Sequence, residues 1–279
     1  MVVSMLIWGT LGLIRRHIPL PSSVICLSRG IIGSLFLFLL VKLQGGRLDR
    51  EAIRKNFGWL FFSGVLLAFD WTLLFEAFRY ASVAVAILCF YMEPIFIILA
   101  SPILFGEKLT WKGMLCVGFA FAGMVLVSGV LQTGMKSWEE IKGAVYAVSA
   151  AVFYASIVLI NKKIGDINAY DKTIIQLLGV IAALGPFCYL TVGAEEIQGN
   201  ALSWSLLVVL GVVHTGIALA LFFGSVSLLS AQTVALVSYF DPVSSVIFAA
   251  IFLGEKLDVA GYIGAAMILG STLLYERMQ

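Results

Sequence analysis

Charge is what this sequence has least of. Only 12% of its 279 residues are Asp, Glu, Lys or Arg, where soluble domains carry roughly a quarter. With 61% hydrophobic residues it is excluded from the ordinary soluble globules. A net charge of +2 is too small to hold a nucleic-acid backbone, so no nucleic-acid partner is expected. Histidine is nearly absent, with two copies, and no H-E-x-x-H, G-x-S-x-G or G-x-x-x-x-G-K-[ST] pattern occurs. Zinc peptidase, hydrolase and ATPase chemistry therefore lack their motifs. Cys26, Cys89, Cys116 and Cys188 show no C-x-x-C spacing, so neither a zinc site nor a disulfide framework is indicated. They read as packing residues, and neither metal nor cofactor is expected.

What is present is apolar runs almost end to end. A bilayer core needs ~20 apolar residues per helix. Breaks at polar islands, glycine and proline divide the chain into ten spans, near 1–18, 22–43, 57–79, 82–104, 110–130, 142–163, 170–192, 202–225, 230–253 and 258–277. The lipid bilayer is thus the expected surrounding, and the fold class an all-α integral membrane protein. The first run is short before Arg15 and Arg16: either those side chains snorkel to the interface or the chain starts upstream. Lys and Arg are more numerous in the loops that are internal if the N-terminus is cytoplasmic, above all between Gln44 and Asn56. Both termini are therefore expected in the cytoplasm of a multi-pass plasma-membrane protein.

The chain also repeats itself. "FGEKLTWKG" from Phe105 returns 148 residues later as "LGEKLDVAG" from Leu253, and Phe75 to Gly113 aligns with Phe223 to Gly261 without a gap, at eleven identities in 39 positions. About three would arise by chance in so biased a composition. Both copies place a carboxylate before a proline in mid-span: Glu93-Pro94 and Asp241-Pro242. Five spans per copy, an odd number, make the second copy enter the membrane from the opposite side. This predicts a first repeat over 1–130 (helices 1 to 5), an external linker over 131–141 and a second repeat over 142–279 (helices 6 to 10). Inverted halves are the architecture of secondary transporters, with the substrate near the midplane. The repeated Gly-Glu-Lys-Leu itself reads as a capped turn, with Gly106 and Gly254 ending one helix and Thr110 and Asp258 starting the next.

Trp8-Gly9, Arg29, "FEAFRYASVAVAILCFYMEPIFIILASPILFGEKLT" and "LLSAQTVALVSYFDPVSSVIFAAIFLGEKL" resemble the ten-helix drug/metabolite transporter superfamily of the EamA type. The resemblance implies a cell inner-membrane carrier of small metabolites with a cavity between its halves, into which Trp8 and Arg29 fall. It does not name the cargo.

Glu93 and Asp241 each lie ~15 Å deep by helix rise, where an ionised carboxylate costs at least ~2.5 kcal/mol. Function is the default reading, as lining of the cavity or as carriers of protons between its two sides; a hydrogen-bonded polar pair acting as helix glue is the bland alternative. Pro94 and Pro242 each free a carbonyl, on Phe90 and Ser238, and kink the span. On Asp241's face lie Ser238, Ser244 and Ser245, against Phe90, Phe96 and Ile97 near Glu93, so the cavity is expected to be asymmetric. Such a lining suits an amphipathic amine or amino acid, alone or with protons, better than a strongly anionic cargo. Tyr91 and Tyr239 occupy equivalent positions, to stack on a cargo or cap a carboxylate, or simply to pack. Asp70 beside Trp71 either faces the cavity or partners Arg29. His214, in mid-span, is a candidate proton carrier or a packing histidine. Glu76 and Arg79 have the spacing of a same-face ion pair. A membrane-embedded enzyme or a channel is the rival class, disfavoured by the missing motifs and by the duplication. Either a monomer or a homodimer fits the sequence.

Overall fold

The computed structural model describes residues 1–15, 17–81, 83–128, 131, 137–164, 167–253 and 259–278, and every regular element among them is helical. The order is α1 (Val2–Gly9), α2 (Leu11–Arg15), α3 (Ser22–Leu43), α4 (Arg50–Tyr80), α5 (Val83–Phe90), α6 (Glu93–Phe105), α7 (Trp111–Ser128), α8 (Trp138–Lys163), α9 (Ala169–Thr191) and α10 (Ala201–Val209). A π-helical stretch at Leu210–Ile217 leads into α11 (Ala218–Val226), followed by α12 (Ala231–Ser238), α13 (Phe240–Leu253) and α14 (Val259–Met278). Six segments among the described residues are long and apolar enough to cross a membrane: Ser22–Leu43, Arg50–Tyr80, Val85–Phe105, Trp138–Lys163, Ala169–Thr191 and Ala201–Val226. Shorter apolar helices cover Val2–Arg15, Trp111–Val127 and Val259–Tyr275. Helix is what lipid demands, because it satisfies backbone polar groups within the segment.

The polar islands act as caps. Asp49 accepts from the Glu51 and Ala52 amides and starts α4 earlier than the apolar run does; Ser137 does the same for α8, Asn168 for α9 and Asn200 for α10. At the end of α6, Gly106 takes φ +65° and Thr110 Oγ1 accepts from the Gly113 amide at 3.1 Å, the turn expected of the first Gly-Glu-Lys-Leu. The second copy's Gly254 and Asp258 lie outside the described residues.

Small residues let the helices close on one another. α4 packs between α8 and α9, α9 against α3 and α11, α7 against α14, and α1 against α13. Gly64 of α4 and Gly179 of α9 meet backbone to backbone, as do Gly123 and Gly264, so a methyl group at any of the four would strike the facing chain. On α8 the stripe Gly143, Ala147, Ala151, Ala155 is buried, Gly143 directly on Ala81. Gly118 of α7 takes no part in such packing, since a Cβ there would meet nothing within 4 Å.

Candidate functional site

The two acid-proline spans are broken helices rather than kinked ones. Proline lacks an N–H and its ring strikes the carbonyl four residues back; α5 stops at Phe90, the chain turns at Tyr91 and Met92, and α6 restarts at Glu93 with Pro94 in its first turn. In the same register α12 stops at Ser238, Tyr239 turns, and α13 carries Asp241 and Pro242 in its first turn. There the missing N–H costs nothing, and each acid sits at the positive end of a helix dipole.

The breaks bring the two copies together. Tyr91 Oη donates to Asp241 Oδ2 at 2.8 Å. Tyr239 Oη donates to the Tyr91 carbonyl at 3.3 Å, and the two rings stack at 6.4 Å. The carbonyl put to use is thus Tyr91's rather than the Phe90 or Ser238 carbonyls expected from the prolines. Ser245 lies near the Asp241 carboxyl, and Ser244 donates to the Asp241 and Met5 carbonyls. Ser238, placed on Asp241's face by helical spacing, instead donates to the Val234 carbonyl one turn back at 3.0 Å and lies near Glu93, because the break at Tyr239 rotates α12 out of phase with α13.

Asp70, Glu93 and Asp241 all lie within electrostatic reach of Tyr154 on α8, and Asp70 and Asp241 within reach of Glu93. Asp70 is 2% and Glu93 1% exposed. Asp70 Oδ1 and Glu93 Oε2 have no hydrogen-bond partner among the described residues. The Arg29 guanidinium, also buried, does not pair with Asp70 within 4 Å. It lies 4.5 Å from the centre of the Trp71 ring, and its Nε donates to Thr215 Oγ1 at 2.9 Å.

An aromatic run connects these groups, from Trp8 to Phe222 (5.2 Å), Tyr154 (6.0 Å), Phe90 (5.8 Å) and Tyr91 (5.6 Å). Trp8 Nε1 donates to the His214 carbonyl at 2.8 Å, and His214 Nε2 bonds Thr10 Oγ1 at 2.9 Å. His214 is therefore engaged at the α1–α2 break rather than among the acids. Glu76 and Arg79 form the expected ion pair at 3.0 Å.

Two features escaped the sequence. Tyr154 and Phe222 are ordinary aromatics in apolar runs, and nothing in their spacing points to the acids. Glu107, read as interfacial punctuation, pairs with Lys162 at 3.0 Å and accepts from the Ala231 amide at the start of α12. Lys162 also donates to the Leu229 carbonyl at 2.6 Å. The first Gly-Glu-Lys-Leu thus ties α6 to α8 and α12, and its only sequence signal was the repetition itself.

The profile of the EamA-like transporter family matches residues 1–129 and 141–276. The chain belongs to the EamA-like transporter family. An uncharacterized transporter of Bacillus subtilis (strain 168), YxxF, is 31% identical over 283 residues, covering 100% of this chain and 89% of that protein. The RarD protein of Salmonella typhi is 26% identical, covering 89% of this chain and 83% of its own length. A crystal structure of a protein 20% identical superposes at a TM-score of 0.87 over 100% of this chain and 97% of the other, which shows a shared fold. Family membership and the apolar helices make this EamA-like chain a multi-pass membrane protein, and the family and its named relatives point to a transporter rather than an enzyme.

Proposed function

We propose that this protein is a secondary transporter of a small amphipathic metabolite, an amine or amino acid, working by alternating access in the plasma membrane. The reading takes the chain as ten membrane helices in two inverted repeats, over 1–130 and 142–279 around the linker 131–141, with both termini cytoplasmic. One observation carries it: duplicated acid-proline breaks converge, so that Tyr91 of one copy holds Asp241 of the other. In an inverted pair of halves, the place where equivalent broken helices meet is where a substrate can be reached from either side in turn.

Protons are the coupling ion in this reading. Glu93 faces Asp70, Asp241 and Ser238, and Asp241 faces Tyr91 and Ser245, so a proton taken up in one state can be exchanged within the cluster and released in the other. The Glu107–Lys162 pair supports the same picture, because it ties the two halves at one end and must part for that end to open.

The test begins with thermal unfolding of the detergent-purified protein against a metabolite library, since a bound cargo stabilises the folded state. Counterflow of that cargo in reconstituted vesicles follows. Saturable counterflow that is lost in Glu93→Gln and in Asp241→Asn, with both variants folded, is expected; wild-type rates in both variants at every pH would sink the carboxylate mechanism, and absent flux would sink the transporter.

A further inference from the structure

The acid cluster is one-sided. Asp70 and Glu93 are buried, lie within electrostatic reach of each other, and each leaves a carboxyl oxygen without a partner among the described residues, Oδ1 and Oε2. A buried acceptor with no donor costs about 1–3 kcal/mol, and more when it carries charge. Such groups in a folded protein call for an explanation. Among the described residues Arg29 acts on Asp70 electrostatically but does not bond it, because Arg29 stacks on Trp71 and donates its Nε to Thr215. Asp241, by contrast, already accepts from Tyr91 and has Ser245 near it.

We infer that Asp70 and Glu93 together hold the ammonium group of an amphipathic amine, which lays its apolar body along Tyr154 and Phe90. This rests on the transporter reading above and names its substrate class. An ammonium has three N–H donors and no acceptor, the complement of two acceptor oxygens without donors. The rings of Tyr154 and Phe90, 5.8 Å apart, offer the π faces that attract a desolvated cation and the surface that takes its hydrocarbon. A calcium ion needs six to eight oxygen ligands, more than this aromatic surrounding presents.

The experiment is calorimetric titration of the detergent-purified protein with three probes of one shape and different charge: phenethylammonium, phenethyl alcohol and hydrocinnamate. Phenethylammonium should bind saturably and the other two at least about tenfold more weakly, the discrimination of a lost charge-assisted hydrogen bond. Asp70→Asn and Glu93→Gln should each weaken the ammonium by about tenfold or more, while Arg79→Gln leaves it unchanged. Size-exclusion behaviour and the unfolding transition report whether each variant is folded. If Glu93→Gln is not, Glu93→Asp, which keeps the charge and withdraws it by one methylene, should bind more weakly than wild type. Absent ammonium binding, equal binding of the three probes, preference for hydrocinnamate, or wild-type affinity in both acid variants overturns the proposal. Saturable counterflow of a neutral or anionic metabolite would leave the transporter standing and remove the ammonium site. Ammonium binding without counterflow of any cargo would keep the site and remove the transporter.

Discussion

Set side by side, the α5–α6 and α12–α13 breaks share a register and differ in what they do with their acid. Both turn the chain one or two residues before the carboxylate and restart a helix on it. Asp241 accepts a 2.8 Å bond from Tyr91 and also reaches Ser245. Glu93 has Ser238 nearby and an oxygen with no partner among the described residues. Duplication supplied two equivalent positions; one is clamped by a tyrosine of the other copy, and the other is buried near Asp70 with one carboxyl oxygen unpartnered among the described residues. A clamped carboxylate joins the halves, and an open one is available to something that arrives.

The comparison can be broken at its clamp. Tyr91→Phe removes the donor to Asp241 and leaves a half-buried acidic acceptor short of a partner, a loss of about 1–3 kcal/mol. Counterflow of the cargo should fall by tenfold or more while phenethylammonium still binds at Asp70 and Glu93. Equal loss of both would mean that the two acids act as one unit. A smaller effect is expected at the end of α6. Glu107→Ala removes the carboxylate that receives the first amide of α12 and pairs with Lys162, about 1–2 kcal/mol by analogy with lost helix caps, read as a lower unfolding midpoint with ammonium affinity unchanged. The smallest should come from Tyr239→Phe. That hydroxyl makes one neutral bond of 3.3 Å to the Tyr91 carbonyl, about 0.5–1 kcal/mol, so stability should fall slightly and the contrast between Asp241 and Glu93 should survive.

Much of the candidate site was legible in the chain because two of its properties are local. An acid before a proline in an apolar run is rare enough to notice, and a shift of 148 residues shows that it occurs twice. Fold class was equally plain, since no soluble core accounts for so little charge. The partners were not legible. Ser238 was assigned to Asp241 on the premise of one continuous helix, and the break at Tyr239 changes the phase. Asp70 read equally well as a cavity residue and as the partner of Arg29, which in fact stacks on Trp71. His214 looked like a proton carrier from its depth, yet it bonds Thr10 from the far end of the sequence.

The sequence by itself determined that the chain is helical, lies in a membrane, carries an internal repeat and places two acids before equivalent prolines in mid-span. Composition, periodicity and proline stereochemistry act over a few residues and need no partner. The tertiary structure alone decided which acid is clamped and which is open, that Tyr154 stands among three carboxyls, and that Glu107 fastens α6 to α8 and α12. Those outcomes depend on how helices approach one another. In lipid the approach is set by shape, by small residues and by a few hydrogen bonds between distant positions, and one apolar helical face reads much like another.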